Sequence, residues 1–336
     1  MKTLDIRLKT LLKIAVSASL LVFIIHKLPQ DELRRILVSI DSNVFLLAGA
    51  VLFLSNFLGA LQWHLLLNAS GIRIRFHRTF RFYFVGLFFN NFLPANIGGD
   101  AVKIYDVSRL GGSVYQVVAV TVLDRLLGIF GLCLLAALAV LFLVVIQPAP
   151  ILWLYLLIFL CCMIPAIGFY MVKPLGRLLR RGVLLVKVFS LDRRMTRILD
   201  HLGQFKGRKS LVSKLVGLSL VIQSLRVCTH ILVGIGIGLP FDVVIWMQFF
   251  IFVPLLSLAM IPPVTINGLG VREGLGIILF ATIGIGRPDA FMIEFSTYFI
   301  SVVISFLGWL FFVARKGGTV SAGEDGIDVA HNVNMR

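Results

Sequence analysis

The sequence lacks the motifs of the common catalytic and nucleotide-binding sites. Its 336 residues contain no Walker A, HExxH or GxSxG pattern, no DDxxD-type cluster and no His-rich site. The segment GLGVREG at residues 268–274 comes close to GxGxxG, but Pro-Pro precedes it where a strand is required. We therefore expect no cofactor, no bound metal and no enzymatic activity.

Cysteine is also scarce, and its placement argues against redox or metal chemistry. The four cysteines show no CxxC or metal-ligand spacing, and each lies inside an apolar run. We interpret them as small packing residues. They are Cys133, Cys161, Cys162 and Cys228.

Acidic residues number only half as many as basic residues. The 16 Asp and Glu stand against 32 Lys and Arg, which gives a net charge of +16. We interpret this excess as loop charge that orients a membrane protein and contacts anionic head groups. Nucleic acid is not an expected partner.

Long apolar runs are what the sequence has in abundance. Mean hydropathy is +0.98 and 59% of residues are hydrophobic, and several runs exceed the roughly 20 residues that a transmembrane helix needs. This excludes a soluble globular protein and predicts an all-α polytopic membrane protein with about 6–8 transmembrane helices. No cleavage site follows the apolar run 14–25, so we expect a retained first helix that starts in the cytoplasm. The main predicted spans are Val44–Leu67, Val114–Ile146, Ile151–Val172, Leu211–Leu239 and Phe291–Val313.

A basic segment divides the chain. Lys173–Lys209 carries eleven Lys or Arg and is predicted to be cytoplasmic. Its apolar residues follow helical spacing, which favours an amphipathic helix on the inner leaflet, although a solvated linker is the alternative. These apolar residues are Leu175, Leu178, Leu179, Leu185, Val186 and Phe189. The expected organisation is one membrane domain over 1–316, with halves 14–172 and 211–313 joined by the linker 173–210, and a disordered cytoplasmic tail over 317–336.

One polar stretch inside the apolar sequence occurs twice. FFNNFLPANIGGDAVK (Phe88–Lys103) has a second, partial copy 169 residues later. The matching pairs are Pro94 and Pro263, Ile97 and Ile266, Gly99 and Gly268, Val102 and Val271, and Lys103 and Arg272. The 12-residue run Phe82–Leu93 is short for a crossing, so the first copy predicts a re-entrant hairpin. The second copy predicts either a hairpin of opposite orientation, which would make the halves inverted repeats, or two short crossings.

The glycines and cations of both copies suit an anion. Gly98 and Gly99, like Gly268 and Gly270, remove side chains where the chain turns, and the following helix N-termini carry partial positive charge. Lys103 and Arg272 follow at equal spacing, so each can place a cation near a phosphate. Alternatively, the glycines serve tight turns and helix packing, and the cations extend to an interface.

Carboxylates and amides accompany these cations. Asp100 and Glu273 are expected either to form salt bridges with Lys103 or Arg272 or to couple to a proton or cation. Four amides are expected to bind a sugar or head-group hydroxyl, or else to satisfy the opened backbone. They are Asn90, Asn91, Asn96 and Asn267.

Asp124 and Arg125 lie ten residues into the long apolar segment. As neighbours on a helix they point about 100° apart, so they are not expected to pair with each other. Arg125 is expected to reach a phosphate or Glu273, and Asp124 to hold Lys103 or Arg226, unless both are charges at the membrane boundary. Arg226 and His230 share one face of a later span.

Three motifs together resemble the lysylphosphatidylglycerol synthase transmembrane family, which is the flippase-like domain family. They are FFNNFLPANIGGD (Phe88–Asp100), LDRLLG (Leu123–Gly128) and NGLGVREG (Asn267–Gly274). The resemblance implies two re-entrant segments and a domain that moves a lipid between leaflets. The aminoacyltransferase domain of the full-length synthases is not expected here, so synthase activity is not carried over.

The sequence therefore favours a lipid translocase of the inner membrane with both termini in the cytoplasm. Its expected partner is a membrane phospholipid or an isoprenoid-linked lipid. Two alternatives stay open. One is an integral-membrane lipid-phosphate transferase in which Asp100 or Glu273 is a general base. The other is an accessory subunit that anchors a glycosyltransferase or another lipid-modifying enzyme.

Overall fold

A computed structural model of the protein describes residues 19, 21–92, 98–171, 191–205, 208–240, 242–262 and 268–314. The described chain is helical, and the predicted all-α polytopic membrane fold is confirmed. The helices with described bounds are α1 (Gln30–Ser39), α2 (Ser42–Ala69), α3 (Phe76–Phe92), α4 (Gly98–Ser108), α5 (Val114–Ile146), α6 (Pro150–Met171), α7 (Leu191–Gly203), α8 (Lys209–Gly236), α9 (Val243–Ala259), α10 (Val271–Ala281) and α11 (Arg287–Ala314).

Among the described helices, α2, α5, α8 and α11 are long and apolar enough to cross a membrane. The bounds of α5 are those that the sequence predicted, and its 33 residues extend about 50 Å at 1.5 Å per residue. Large apolar side chains such as Leu138, Phe142 and Val145 lie exposed on α5. In a bilayer such a surface faces lipid, so its exposure carries no penalty.

The order of helix lengths repeats between the two halves of the chain. In the first half, α2, α3 and α4 have 28, 17 and 11 residues. In the second half, α8, α9 and α10 also have 28, 17 and 11 residues. A long apolar helix follows each set, α5 in one case and α11 in the other. An 11-residue helix is about 17 Å long, too short to cross a hydrocarbon core of about 30 Å.

Two helix starts, those of α2 and α9, are set by side-chain caps. Asp41 accepts hydrogen bonds from the backbone N–H groups of Asn43 and Val44 at the start of α2. Asp242 accepts the corresponding bonds from Val244 and Ile245 at the start of α9. An Asp in this position satisfies N–H groups that have no partner within the helix.

The apolar core has two main parts that share α5. Buried residues from Val117 to Leu127 of α5 pack with α2, α3, α7 and α8. Buried residues from Cys133 to Leu143 pack with α1, α6, α9, α10 and α11. The charged residues of the two motif copies lie on helices that border these cores, which keeps most of them away from the protein surface.

Some element bounds differ from the predictions. Helix α3 begins at Phe76 and has 17 residues, so it starts before the predicted run Phe82–Leu93 and includes Arg78 and Arg81. The apolar positions predicted for an interfacial helix, 175–189, lie outside the described residues. Within the linker, the structure describes α7. Leu202 of α7 and Phe205, just after it, are both buried in the core against α5.

Candidate functional site

The helices α3 and α4 meet backbone to backbone at two glycines. A Cβ added to Gly99 would overlap the carbonyl oxygen of Gly86, so only glycine allows this approach. The N–H of Gly99 donates to Asn90 Oδ1 at 2.9 Å. Gly99 therefore serves close helix packing, and Asn90 satisfies a backbone N–H group. These are the structural alternatives that the sequence left open for the two residues. Gly98 is the first residue of α4, and Asn91 is buried on α3.

Asp100 lies between two cations. Its Oδ1 is 2.8 Å from Lys103 Nζ, one turn further along α4. Its Oδ2 accepts from Arg125 Nε at 2.9 Å and lies 2.7 Å from Arg125 Nη2. The predicted salt bridge of Asp100 with Lys103 is thus present, whereas Arg125 contacts Asp100 rather than Glu273. We call Asp100, Lys103, Asp124 and Arg125 the Asp100 cluster.

Lys103 occupies an aromatic cage. Its Nζ is 5.1 Å from the ring centre of Trp63 and 5.0 Å from that of Tyr83, distances at which a cation is attracted to the face of a ring. Its Cγ and Cδ lie against Gly86, where a Cβ would come within 3 Å of them. The residue is 5% exposed. Lys103 therefore does not extend to an interface; it is a buried charge held by Asp100 and two rings.

The two side chains of the Arg125–Asp100 ion pair differ in their exposure. The Arg125 side chain remains 51% exposed while it holds Asp100, whose side chain is 9% exposed. The cluster thus presents one cation at the surface of the helical bundle and keeps the other inside. Arg125 is the twelfth residue of α5, which is one of the helices long and apolar enough to cross a membrane.

Asp124 joins α5 to α2 and is not held by a cation through any described hydrogen bond. Gln62 Nε2 donates to Asp124 Oδ1 at 2.9 Å. Of the two cations expected to hold this carboxylate, Lys103 acts on it through its charge. Gln62 is 4% exposed, and its Oε1 accepts no hydrogen bond from the described residues.

Helix α8 borders the Asp100 cluster. Gln223 Nε2 donates to the carbonyl oxygen of Gly128 on α5 at 3.1 Å. Arg226 Nη1 donates to Gln223 Oε1 at 3.5 Å, and the charge of Arg226 is one of several that act on Tyr83 of the Lys103 cage. A third cation therefore lies beside the cluster.

The second motif copy forms a separate group, which we call the Glu294 cluster: His230, Arg272, Glu273 and Glu294. Arg272 Nη2 is 3.3 Å from Glu273 Oε1, and Arg272 Nε is 3.4 Å from Glu294 Oε2. His230 Nε2 is 3.6 Å from Glu294 Oε1. Both carboxylates have fully buried side chains, so the expected salt bridge of Glu273 with Arg272 is present but shared with a second acid.

Glu273 also caps the N-terminus of α10. Its Oε2 accepts from the N–H of Gly270, three residues earlier, as the N3 residue of a capping box does. Gly270 has φ of +84°, a left-handed conformation that a residue with a Cβ adopts only at a cost. Gly268, with φ of +78°, packs on Met260. These two glycines therefore shape the turn.

The matched residues of the two copies occupy different helical positions. Lys103 is the sixth residue of α4, whereas Arg272 is the second residue of α10. Asn96 and Asn267, together with the matched Pro and Ile pairs, lie outside the described residues. The two clusters are nonetheless neighbours along α8, since Arg226 and His230 are one turn apart and His230 Nδ1 contacts the carbonyl oxygen of Arg226 at 2.9 Å.

Sequence reasoning missed Gln62, Trp63, Tyr83 and Glu294. An available signal was the presence of Gln62 and Glu294 within predicted membrane spans, where polar and ionisable groups are costly and are often functional. Trp63 and Tyr83 gave no such signal, because aromatic residues are common in these helices and the cage forms only when α2 and α3 meet α4.

Comparison with known proteins gives a consistent classification. The family described as "Lysylphosphatidylglycerol synthase TM region" matches residues 10–314. The chain is also similar to a UPF0104 membrane protein of Pyrococcus horikoshii, with 26% identity over 138 residues. This similarity covers 40% of the chain and 41% of the relative, so the chain spans about two fifths of the length of the curated relative it matches. Because the family match extends through α11, the protein is an integral membrane protein that belongs to the lysylphosphatidylglycerol synthase transmembrane-region family.

Proposed function

We propose that the protein is a lipid translocase that moves a phosphate-bearing lipid or lipid-linked sugar between membrane leaflets. The observation that carries this proposal is the carboxylate of Asp100, which holds one buried and one half-exposed cation among membrane helices. Intramembrane charges are costly and usually mark a substrate or ion path. Membership in a family described by a lipid synthase supports a lipid as the substrate.

The geometry of Asp100 suits an exchange of anions. A phosphate offers the same kind of acceptor oxygens as a carboxylate and is well matched to the planar guanidinium of Arg125. When Arg125 turns from Asp100 to a phosphate, Lys103 continues to neutralise Asp100 at 2.8 Å. The exchange therefore leaves no buried carboxylate without a counter-ion, which keeps its cost low.

The local charge balance also favours an anion. The two carboxylates of the Asp100 cluster are matched by Lys103 and Arg125, and Arg226 adds one positive charge beside Tyr83. A head group with a single negative charge would neutralise this excess. Trp63, whose buried Nε1 donates to no described residue, offers a further donor for a bound head group.

The arrangement of helices fits a translocase of inverted repeats. Short helices that pack as pairs, α3 with α4 and α9 with α10, are the kind of interrupted elements that form substrate sites near the bilayer midplane in transporters. We infer that both pairs are re-entrant hairpins. The positive charge of the linker 173–210 supports an inner-membrane location, and we infer that this segment and both termini lie in the cytoplasm.

The transferase alternative is less well supported by the contacts of its proposed bases. Asp100 is engaged by two cations, and Glu273 caps a turn while it contacts Arg272. A general base must instead reach the proton that it removes.

Reconstitution tests the translocase directly. We would measure movement of labelled anionic phospholipid and of an isoprenoid-phosphate lipid between leaflets of proteoliposomes, with Arg125→Gln compared to wild type. Hydrogen bonds to charged groups contribute about 1.5–3 kcal/mol, so the variant is expected to slow movement by about 10-fold to 150-fold. Arg109→Gln is the matched control, because Arg109 is an exposed arginine that lies on Tyr105 outside the cluster.

If the Arg125→Gln and Arg109→Gln variants move lipid equally fast, Arg125 does not contribute to the lipid path. If folded wild-type protein moves neither lipid, even with an imposed ion gradient, the translocase proposal fails. Co-purification of a glycosyltransferase or another lipid-modifying enzyme would then favour the accessory role.

A further inference from the structure

Glu294 is a buried carboxylate that lacks the contacts such a group normally has. Its side chain is fully buried on α11, and neither oxygen accepts a hydrogen bond from the described residues. Two nitrogen atoms lie close to it: Arg272 Nε is 3.4 Å from Oε2, and His230 Nε2 is 3.6 Å from Oε1. Buried polar atoms are nearly always hydrogen-bonded, so an exception of this kind calls for a bound species or a functional role.

The charges around Glu294 do not balance. Arg272 is one cation and contacts two carboxylates, Glu273 and Glu294. With His230 neutral, the four groups of the cluster carry a net charge of −1. Arg226 lies one turn from His230 but forms no described ion pair with Glu294, and a buried charge without a direct partner is strongly disfavoured. The binding of one positive charge would remove this excess.

The ionisable groups that face Glu294 come from two neighbouring helices. Helix α8 contributes His230, and α10 contributes Arg272, with Glu273 on the far side of that arginine. On helix α1, the charged residues Glu32 and Arg35 lie near Asp289, at the start of α11, and not near Glu294. Helices α2 and α3 also pack on α11, but no described ion pair joins either of them to Glu294.

The hydrogen bond of His230 identifies where the charge can bind. Its Nδ1 is 2.9 Å from the carbonyl oxygen of Arg226, and a carbonyl only accepts, so Nδ1 carries a proton. In the neutral ring, Nε2 is then an acceptor and faces Glu294 Oε1, which is a second acceptor. Two acceptors in contact repel each other, whereas a proton on either atom turns this contact into a hydrogen bond.

We propose that His230 and Glu294 form a binding site for one proton, held between Nε2 and Oε1. Proton binding neutralises the cluster and draws α8 and α11 together, and proton release restores the repulsion between them. Because His230 contacts the backbone of Arg226, the site is linked to the Asp100 cluster through one turn of α8. That lipid movement is coupled to this proton rests on the proposed translocase function.

Spectroscopy tests the proton site without any transport assay. We would follow the carboxylic acid carbonyl band by infrared difference spectroscopy and the histidine Nε2 resonance by nitrogen NMR as the pH is varied. The expected result is one proton on the pair at neutral pH, seen either as a protonated Glu294 or as a cationic His230, and lost at higher pH. Both signals are identified by their loss in Glu294→Gln and His230→Gln, respectively. A neutral His230 beside an ionised Glu294 at neutral pH would overturn the proposal.

Transport under a pH gradient tests the coupling. One pH unit is expected to produce about tenfold accumulation of lipid in one leaflet for each coupled proton. Glu294→Gln is expected to lose this accumulation, since its amide donates permanently to His230. Asp289→Asn is the matched control, because it removes an acid from the same helix outside the cluster, and it is expected to behave as wild type.

The outcomes separate the two proposals. Downhill movement in wild type that ignores the pH gradient would overturn the coupling and leave the translocase standing. Accumulation driven by a sodium gradient at constant pH would overturn the proton as the bound cation. Absence of any movement would defeat the translocase, while the spectroscopic result would still decide whether the proton site exists.

Discussion

The link between Asp100 and Lys103 has a measurable energetic consequence. Asp100→Asn leaves Lys103 buried, 5% exposed, with no carboxylate at 2.8 Å. Loss of one partner from a buried ion pair costs about 3–5 kcal/mol. The contribution of Arg125 is smaller, because a half-exposed pair is worth at most about 1 kcal/mol. We therefore expect Asp100→Asn to destabilise the protein by about 3–5 kcal/mol.

The double variant gives this prediction its sharpest form. Lys103→Met removes the charge and keeps an apolar chain against Gly86 and between the two rings. Combined with Asp100→Asn, it removes both buried charges, so the double variant is expected to be more stable than Asp100→Asn alone. The coupling energy should be about 2 kcal/mol, within the range seen for residues in contact.

Reversible unfolding of the four proteins in detergent measures this coupling. The midpoints of wild type, both single variants and the double variant complete a double-mutant cycle. Strictly additive effects would refute the reasoning, because they would mean that Asp100 and Lys103 do not depend on each other for their stability in the core.

Two further predictions concern the motif glycines, and both are checked by the same unfolding measurement. Gly99→Ala is expected to cost more than about 2 kcal/mol, in line with overpacked sites, because its Cβ would overlap backbone at Gly86. Gly217→Ala, at an exposed position of α8 where a Cβ would meet nothing within 4 Å, is its control and is expected to stabilise the protein by up to about 1 kcal/mol. Equal effects of the two substitutions would exclude the close contact. Gly270→Ala is expected to cost about 1–2 kcal/mol, because φ of +84° is unfavourable for a residue with a Cβ. No loss of stability in this variant would refute the described turn.

Sequence alone determined the fold class and most of the helices. A bilayer demands about 20 apolar residues per crossing and leaves no water for open backbone groups, so the long runs could be read directly as helices. This reasoning placed α5 at its observed bounds. This reasoning located the start of α3 less accurately. Arginines precede the apolar run there, and their positions are compatible with either a loop or the first turns of a helix.

The sequence also located the polar residues of both clusters in part. Asp100, Lys103, Arg272 and Glu273 stood out because ionisable groups are costly inside a membrane. Asp100 and Glu273 were expected either to pair with Lys103 or Arg272 or to couple to a proton or cation, and the contacts of Asp100 with Lys103 and of Glu273 with Arg272 are present.

Only the tertiary structure decided the long-range partners. Arg125 meets Asp100 across α4 and α5, Lys103 enters a cage built by α2 and α3, and Glu294 joins Arg272 and His230 from two other helices. Periodicity gives the direction of a side chain from its own helix but not the identity of the helix it faces. That identity depends on how α5, α8 and α11 pack. This packing is set by contacts between segments far apart in the sequence, such as Gly131 of α5 against Ser219 of α8 and Gly308 of α11 against Phe84 of α3.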